Sequence, residues 1–330
     1  MNLLRKLLFP LGFVYWMVTY CRNLFYDLGW FKSYTFSLPV IAVGNLSVGG
    51  TGKTPHIEYL VRLLQNKKVA TLSRGYGRKT KGFILADERA NAATIGDEPF
   101  QFYSKFKEVA VAVDADRRNG IEKLQELIHP EVILLDDAFQ HRRVQAGFYI
   151  LLTDYNHLFT RDYILPFGDL REPSIGKRRA NVIIVTKCPD DISEIAMQNI
   201  KKELNVAVPI FFSRIKYDDF LWGWKEKVEV QHLIESKLIV AGIANPTGFV
   251  KFLKGEKDEV MLFPDHHDFT DKDIENILKT AKGRRIVTTE KDYMRLKGKI
   301  QEQSIGYLPI TVEIIENQDE LNKLILNYVG

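Results

Sequence analysis

The sequence predicts an α/β protein: a mainly parallel sheet flanked by helices, followed by a second, smaller α/β unit. Two observations predict it. From residue 38 onward, short β-branched runs alternate with longer stretches of helical pattern. The first of these runs passes through a glycine-rich turn into a helical stretch at 56–64, and strand–turn–helix is the setting a phosphate-binding loop needs. Length agrees, since 330 residues exceed one small core and suit one large α/β domain or two domains.

The amino terminus comes first and is the compositional anomaly. Residues 1–31 are rich in Leu, Phe, Tyr and Trp, with Arg5, Lys6 and Arg22 as their only bases. The uncharged run from Leu7 to Cys21 falls short of the ~20 apolar residues of a spanning helix and contains Pro10 and Gly12. No small-residue cleavage site follows, which argues against a cleaved signal peptide. Aromatic rings interleaved with bases favour the bilayer interface over simple packing on the domain. The chain as a whole has the composition of an ordinary folded protein, 45% hydrophobic and 27% charged. A net charge of +4 permits an anionic substrate or a membrane surface and is too weak to argue for nucleic acid. Two distant cysteines, Cys21 and Cys188, suggest neither a disulfide framework nor a metal cluster, and point to the reducing cytosol.

Strands are expected at 39–43, 69–72, 109–113, 132–135, 149–153 and 182–186. They are nearly continuous apolar runs, as in a sheet covered on both faces. The pattern restarts past about residue 205, with strands at 210–214, 228–230, 238–241, 285–288 and 310–313 assigned to the smaller unit. The expected organisation is therefore a membrane-interface segment at 1–35, a core domain at 36–205 and a smaller carboxy-terminal α/β domain at 206–330.

Residues 47–54 read SVGGTGKT, a phosphate-loop pattern whose usual first glycine is replaced by Ser47. Ser47, Val48, Gly49, Gly50, Thr51 and Gly52 would wrap backbone N–H groups around a β-phosphate, and the following helix aims its positive end at the same anion. Lys53 would bridge the β- and γ-phosphates, and the Thr54 hydroxyl would ligate Mg²⁺. Asp136 and Asp137 end the strand at 132–135, and one of them would hold the metal directly or through water. This P-loop NTPase-like core carries three basic clusters after strand ends: residues 73–78 (SRGYGR), Arg117–Arg118, and residues 138–143 with Gln140, His141, Arg142 and Arg143. Arginine's planar fork suits a phosphate-bearing acceptor or nucleotide there. Asp97, framed by Gly96 and Pro99, reads as a helix cap or as the base that deprotonates an acceptor hydroxyl.

Taken together these segments resemble one family, the bacterial tetraacyldisaccharide 4′-kinases of lipid A synthesis. The matching residues are VGNLSVGGTGKTP at 43–55, SRGYGR at 73–78, GDEP at 96–99 and DDAFQH at 136–141. LPFGDLREP at 165–173, FPDHHDF at 263–269 and TTEKD at 288–292 extend the match over essentially the whole chain. Ala138 stands where the family more often has glycine. The resemblance implies ATP- and Mg²⁺-dependent transfer of the γ-phosphoryl group to the 4′-hydroxyl of a tetraacylated glucosamine disaccharide 1-phosphate, giving lipid IVA. It implies two α/β domains with the site in the cleft between them, acting at the cytoplasmic face of the bacterial inner membrane, with no obligate protein partner. It also implies that Asp97 is the catalytic base, paired with a histidine of the 265–267 motif, His266 being favoured over His267. Arg74, Gly75, Tyr76, Arg78, Arg117, Gln140 and His141 would surround the acceptor headgroup, and Arg171 and Glu172 would lie near the nucleotide.

The competing class is a membrane-cycling P-loop switch ATPase without a lipid acceptor. Such proteins carry a further lysine just before the double glycine, where this chain has Val48. A guanine-reading turn at 185–190 has its acid one residue late.

Overall fold

The computed structural model describes residues 8–224, 226–233, 236–265 and 267–330. Helix α1 (Phe9–Asp27) leads to β1 (Val40–Asn45), the phosphate-loop segment and α2 (Lys53–Leu63). Then come β2 (Val69–Ser73), β3 (Ile84–Leu85), α3 (Ala92–Ile95), α4 (Asp97–Lys105), β4 (Ala110–Val113) and α5 (Arg117–Leu127). Strands β5 (Val132–Asp136), β6 (Phe148–Asp154) and β7 (Val182–Thr186) follow, then α6 (Glu194–Leu204) and β8 (Ile210–Tyr217). A short hairpin, β9 (Phe220–Leu221) and β10 (Val228–Glu229), precedes β11 (Leu238–Ala241), α7 (Thr247–Leu253), β12 (Glu259–Leu262) and α8 (Asp271–Ala281). The chain ends with β13 (Ile286–Thr289), α9 (Glu290–Leu296), β14 (Ile305–Leu308), β15 (Ile310–Ile314) and α10 (Gln318–Val329).

The strands form a nine-stranded sheet in the order β15-β8-β7-β6-β1-β5-β2-β4-β3 and a four-stranded sheet in the order β12-β11-β13-β14. Only the edge strands β3 and β15 of the large sheet run antiparallel. Its central strand β1 pairs with β5 and β6, and alternate side chains leave on opposite faces. Ile41 and Val43 join a core with Ile57, Leu60 and Val61 of α2 and Leu321 and Ile325 of α10. Val40 and Ala42 join another with Ile121 and Leu124 of α5. Each such buried aliphatic side chain contributes about 1.5–3 kcal/mol, so β1, which carries the loop, is anchored from both faces.

The strands expected at 210–214 and 310–313 do not belong to the smaller sheet. As β8 and β15 they extend the large one, β8 against β7 and β15 against β8. Phe211, Val312 and Ile314 sit in the same core as α2 and α10, so burial draws both strands back to the first sheet.

Helix α1 is inverted relative to a water-facing helix. Its buried positions are Gly12, Thr19 and Asn23, while Phe9, Phe13, Val18, Trp16, Met17 and Leu24 are exposed, Phe9 at 59%. Pro10 lies in its first turn, where a missing N–H costs nothing. No helix among the described residues is long and apolar enough to cross a membrane. Both cysteines are free.

The two sheets meet through α4 and α9. Lys105 of α4 lies 2.7 Å from Glu58 of α2 and 2.8 Å from Glu290 of α9, and both carboxylates are buried. Gln101 adds a 2.9 Å hydrogen bond to Glu58.

Candidate active site

The phosphate loop folds as its residues require. Gly49 (φ +100°) and Gly52 (φ +84°) occupy the left-handed region that side chains avoid, and Gly52 caps α2 so that Lys53 and Thr54 open the helix. Ser47 instead forms an antiparallel bridge with Leu170 and has no positive φ, so a side chain is tolerated where the common motif has glycine. Neighbouring backbone bonds, Arg171 N–H to the Leu46 carbonyl and Val48 N–H to the Asp169 carbonyl, both 2.7 Å, tie segment 169–171 to the loop. The Thr51 carbonyl accepts from Thr186 Oγ1 at 2.9 Å. Buried His56 contacts the Gly52 carbonyl at 2.7 Å, and burial pushes its pKa down to about 4, so it serves as a neutral brace.

Parallel pairing of β1 with β5 places Asp136 level with Val43 and carries Asp137 to the mouth of the loop. Lys53 Nζ lies 3.7 Å from Asp137 Oδ1. Arg171 grips the same carboxylate with both amino groups, at 2.8 and 3.1 Å. Burial alone would raise Asp137, but Lys53 and the Arg171 hydrogen bonds outweigh it and hold the group below the usual carboxylate range. Asp136 behaves oppositely: burial first, then the Asp137 charge, push it up to about 6. Its Oδ2 accepts from Ser73 Oγ at 3.3 Å, while Oδ1 is buried with no hydrogen-bond partner among the described residues. Ala138 has no positive φ, so its extra methyl relative to glycine is accommodated in the core beside β1.

A second group lies beside this one. The Gly75 and Gly96 backbones approach so closely that a Cβ on Gly96 would stand 3.0 Å from the Tyr76 carbonyl, which packs segment 73–78 against the turn bearing Asp97. Arg74 and Tyr76 are exposed, and Arg78 Nη2 donates to the Gly82 carbonyl at 2.7 Å. Asp97, the first residue of α4, is gripped by Arg295 of α9 through Nε at 3.0 Å and through Nη2. Next to it, Lys291 lies 3.0 Å from Glu98.

Not every expected residue faces this cleft. Arg117 is buried, donating to the carbonyls of Asp114 at 2.7 Å and Asp136 at 3.1 Å, and burial lowers its pKa to about 10. Gln140 donates to the Asn45 carbonyl at 2.8 Å and to Glu172 at 2.9 Å. His141 is half-buried and pushed down to about 4, by burial and then by the Arg117 charge, so it is neutral. Glu172 is fully buried behind the loop. His267 bonds Asp273 at 3.0 Å, within the cap of α8, and His266 lies outside the described residues. The sequence reading missed Arg295, Lys291 and Asn45. The TTEKD stretch contains Lys291, to which no role attached, and nothing marked Arg295.

The donor set fits a phosphate-bound divalent cation. Among the described residues no group of three His, Cys, Asp or Glu side chains could hold a metal, but Asp137 lies 3.7 Å from the loop lysine, Asp136 ends β5 just before it, and Thr54 follows that lysine in the first turn of α2. Mg²⁺ prefers such a site, sharing few protein oxygens with phosphate and water. Fold and site together define a P-loop nucleotide-binding protein whose second α/β unit packs on α4 through α9.

Comparison with known proteins narrows this. The chain matches the family described as LpxK, tetraacyldisaccharide-1-P 4′-kinase, over residues 4–330, and it belongs to that family. The tetraacyldisaccharide 4′-kinase of Flavobacterium johnsoniae is 54% identical over 334 residues, spanning 100% of this chain and 98% of the relative. That of Bacteroides fragilis is 45% identical, spanning 99% and 93%. The crystal structure of the "apo" form of LpxK from Aquifex aeolicus in complex with ATP is 33% identical, with a TM-score of 0.84, covering 99% of this chain and 100% of that one.

Proposed function

We infer that this chain is a kinase that transfers the γ-phosphoryl group of ATP to the 4′-hydroxyl of a tetraacyldisaccharide 1-phosphate, giving lipid IVA. The carrying observation is a family match across residues 4–330, with Lys53 and Arg171 both holding Asp137 at the phosphate loop.

Lys53 and the loop amides offset the charge that spreads over the transferring group, and Arg171 keeps Asp137 beside them. Thr54 and Asp136 or Asp137 would hold Mg²⁺, which when bound would supply further neutralisation of phosphate charge. Asp97 accepts the proton of the sugar hydroxyl as that oxygen forms its bond to the γ-phosphorus and the bond to the β-phosphate oxygen breaks. Arg295 orients the Asp97 carboxylate from the opposite unit. His266 is retained as the partner of Asp97 on the family resemblance, and His267 is already engaged by Asp273. Arg74, Gly75, Tyr76 and Arg78 border Asp97 and would meet the acceptor headgroup. Arg117, Gln140 and His141 support that wall from behind. The closing unit is taken as the four-stranded sheet with α7, α8 and α9, narrower than 206–330 because β8, β15 and α10 belong to the large sheet.

The acceptor's acyl chains keep it in a bilayer, and the inverted α1 offers the matching surface: apolar residues outward, polar ones inward. We therefore place the enzyme at the cytoplasmic face of the inner membrane, where ATP is available, with α1 lying in the interface. Radiolabelled ATP and GTP, each with and without the acylated disaccharide, test the reading. Label should reach lipid from ATP only when acceptor is present, whereas full-rate hydrolysis without acceptor would indicate a switch ATPase.

A further inference from the structure

Glu172 is a buried carboxylate that three separate elements reach. Asn23 Nδ2 of α1 donates to Oε2 at 2.8 Å, while Gln140 Nε2 and Arg179 Nη2 donate to Oε1 at 2.9 and 2.7 Å. Glu172 is 0% exposed and Asn23 8% exposed, so water replaces none of these partners.

From Glu172 the contacts run directly to the phosphate loop. Gln140 Nε2 also donates to the carbonyl of Asn45, the last residue of β1. Arg171 Nη2 donates to that same carbonyl at 3.0 Å and to the Asn45 side-chain oxygen, and its guanidinium holds Asp137. Segment 169–171 is bonded to the loop backbone at Leu46 and Val48. Helix α1 also touches residues 167–171 at further points. Tyr15 Oη donates to the Arg171 carbonyl at 3.0 Å, the Phe9 ring meets Phe167 edge-on at 5.6 Å, and a Cβ on Gly12 would stand 3.1 Å from the Phe167 Cβ. The helix that presents apolar residues outward thus has its inward polar stripe one residue away from the groups that shape the nucleotide site.

We propose that Asn23 and Glu172 are positioning residues that couple docking of α1 on a lipid bilayer to the geometry of the phosphate loop, so that a membrane surface tightens nucleotide binding. The coupling rests on the reading of α1 as the docking helix. Insertion of its apolar face fixes the depth and tilt of α1. A buried carboxylate with three donors follows that movement, because losing a donor leaves its charge under-compensated in a low dielectric. Asn45 and Arg171 then carry the displacement to β1 and Asp137. The coupling is reciprocal: nucleotide must tighten membrane binding by the same factor.

The test uses the full chain, a fluorescent nonhydrolysable ATP analogue with Mg²⁺, and vesicles of phosphatidylethanolamine and phosphatidylglycerol. Wild type should co-sediment with vesicles, and its analogue affinity should rise about fivefold when they are present. Asn23→Ala should still co-sediment in the absence of nucleotide, but vesicles should no longer change its analogue affinity. Glu172→Gln, of equal volume, should give the same pattern and serves if Asn23→Ala fails to fold. A merely structural role would lower the melting temperature of these variants and leave the vesicle response of the folded fraction intact. Wild type that sediments with no change in affinity overturns the coupling alone. Wild type that does not sediment overturns the docking reading and the coupling with it. Analogue binding reads neither acceptor nor turnover, so these outcomes are separate from the kinase assay.

Discussion

Asp136 and Asp137 are chain neighbours in opposite electrostatic surroundings, and the difference sets a measurable consequence. Asp137 shares Lys53 and Arg171, whereas Asp136 is buried beside Asp137 with its pKa pushed up to about 6. The folded state therefore holds the Asp136 proton more tightly than the unfolded chain. Its contribution to stability falls as pH rises from 3.8 to about 6, and the loss is complete above that. Asp136→Asn should be more stable to unfolding than wild type above pH 6 without nucleotide, by on the order of 1–3 kcal/mol, with the gap closing towards pH 4. A pH-independent gap would sink the burial argument. Catalysis should fail in the same variant, as expected where function keeps a destabilised group. Asp97→Asn should lower turnover by about 10²–10⁴-fold with ATP-analogue affinity unchanged. Near-native turnover would remove Asp97 as the base. The sequence supplied Lys53, Thr54 and the acid pair because loop and strand-end chemistry is local. It supplied no sign of Arg295, since a lone arginine in α9 looks like any solvated charge until α9 packs on α4.

Helix α1 shows what periodicity reveals and what it leaves out. Its composition suggested the bilayer, and the fold adds the arrangement, with the polar stripe of Gly12, Thr19 and Asn23 inward. Deleting the segment would strip Glu172 of a donor and Arg171 of the Tyr15 contact, mixing membrane and nucleotide effects. Substituting the outer face separates them. Phe13→Ser, Trp16→Ser and Val18→Ser together should weaken vesicle co-sedimentation at least about tenfold and leave analogue affinity in vesicle-free buffer unchanged. Undiminished sedimentation would show that some other surface docks. Segment 165–173 is a parallel case. Its motif suggested proximity to nucleotide, yet only Arg171 turns to the loop while Glu172 turns to α1, and a sequence without strand direction cannot distinguish two adjacent side chains pointing opposite ways.

At the scale of the whole molecule the two sheets are joined by buried charge as well as by the Tyr217–Phe252 ring stack. Lys105 stands between Glu58 and Glu290, and burial, with the Glu58 charge next, raises Glu290. Lys105→Met would leave two buried carboxylates facing each other and should cost about 3–5 kcal/mol. Calorimetry should show a lower or split transition, and an unchanged melting temperature would mean that the network adds nothing. By itself the sequence determined the α/β class, the phosphate loop, the strand-end acids and the family, because each is written in contiguous residues whose periodicity and backbone needs are local. Tertiary structure alone decided that β8 and β15 complete the large sheet, that Arg295 meets Asp97 across 198 residues, and that Asn23 meets Glu172 across 149. Those pairings follow from which buried faces can cover one another, a property of the assembled chain that no local stretch contains.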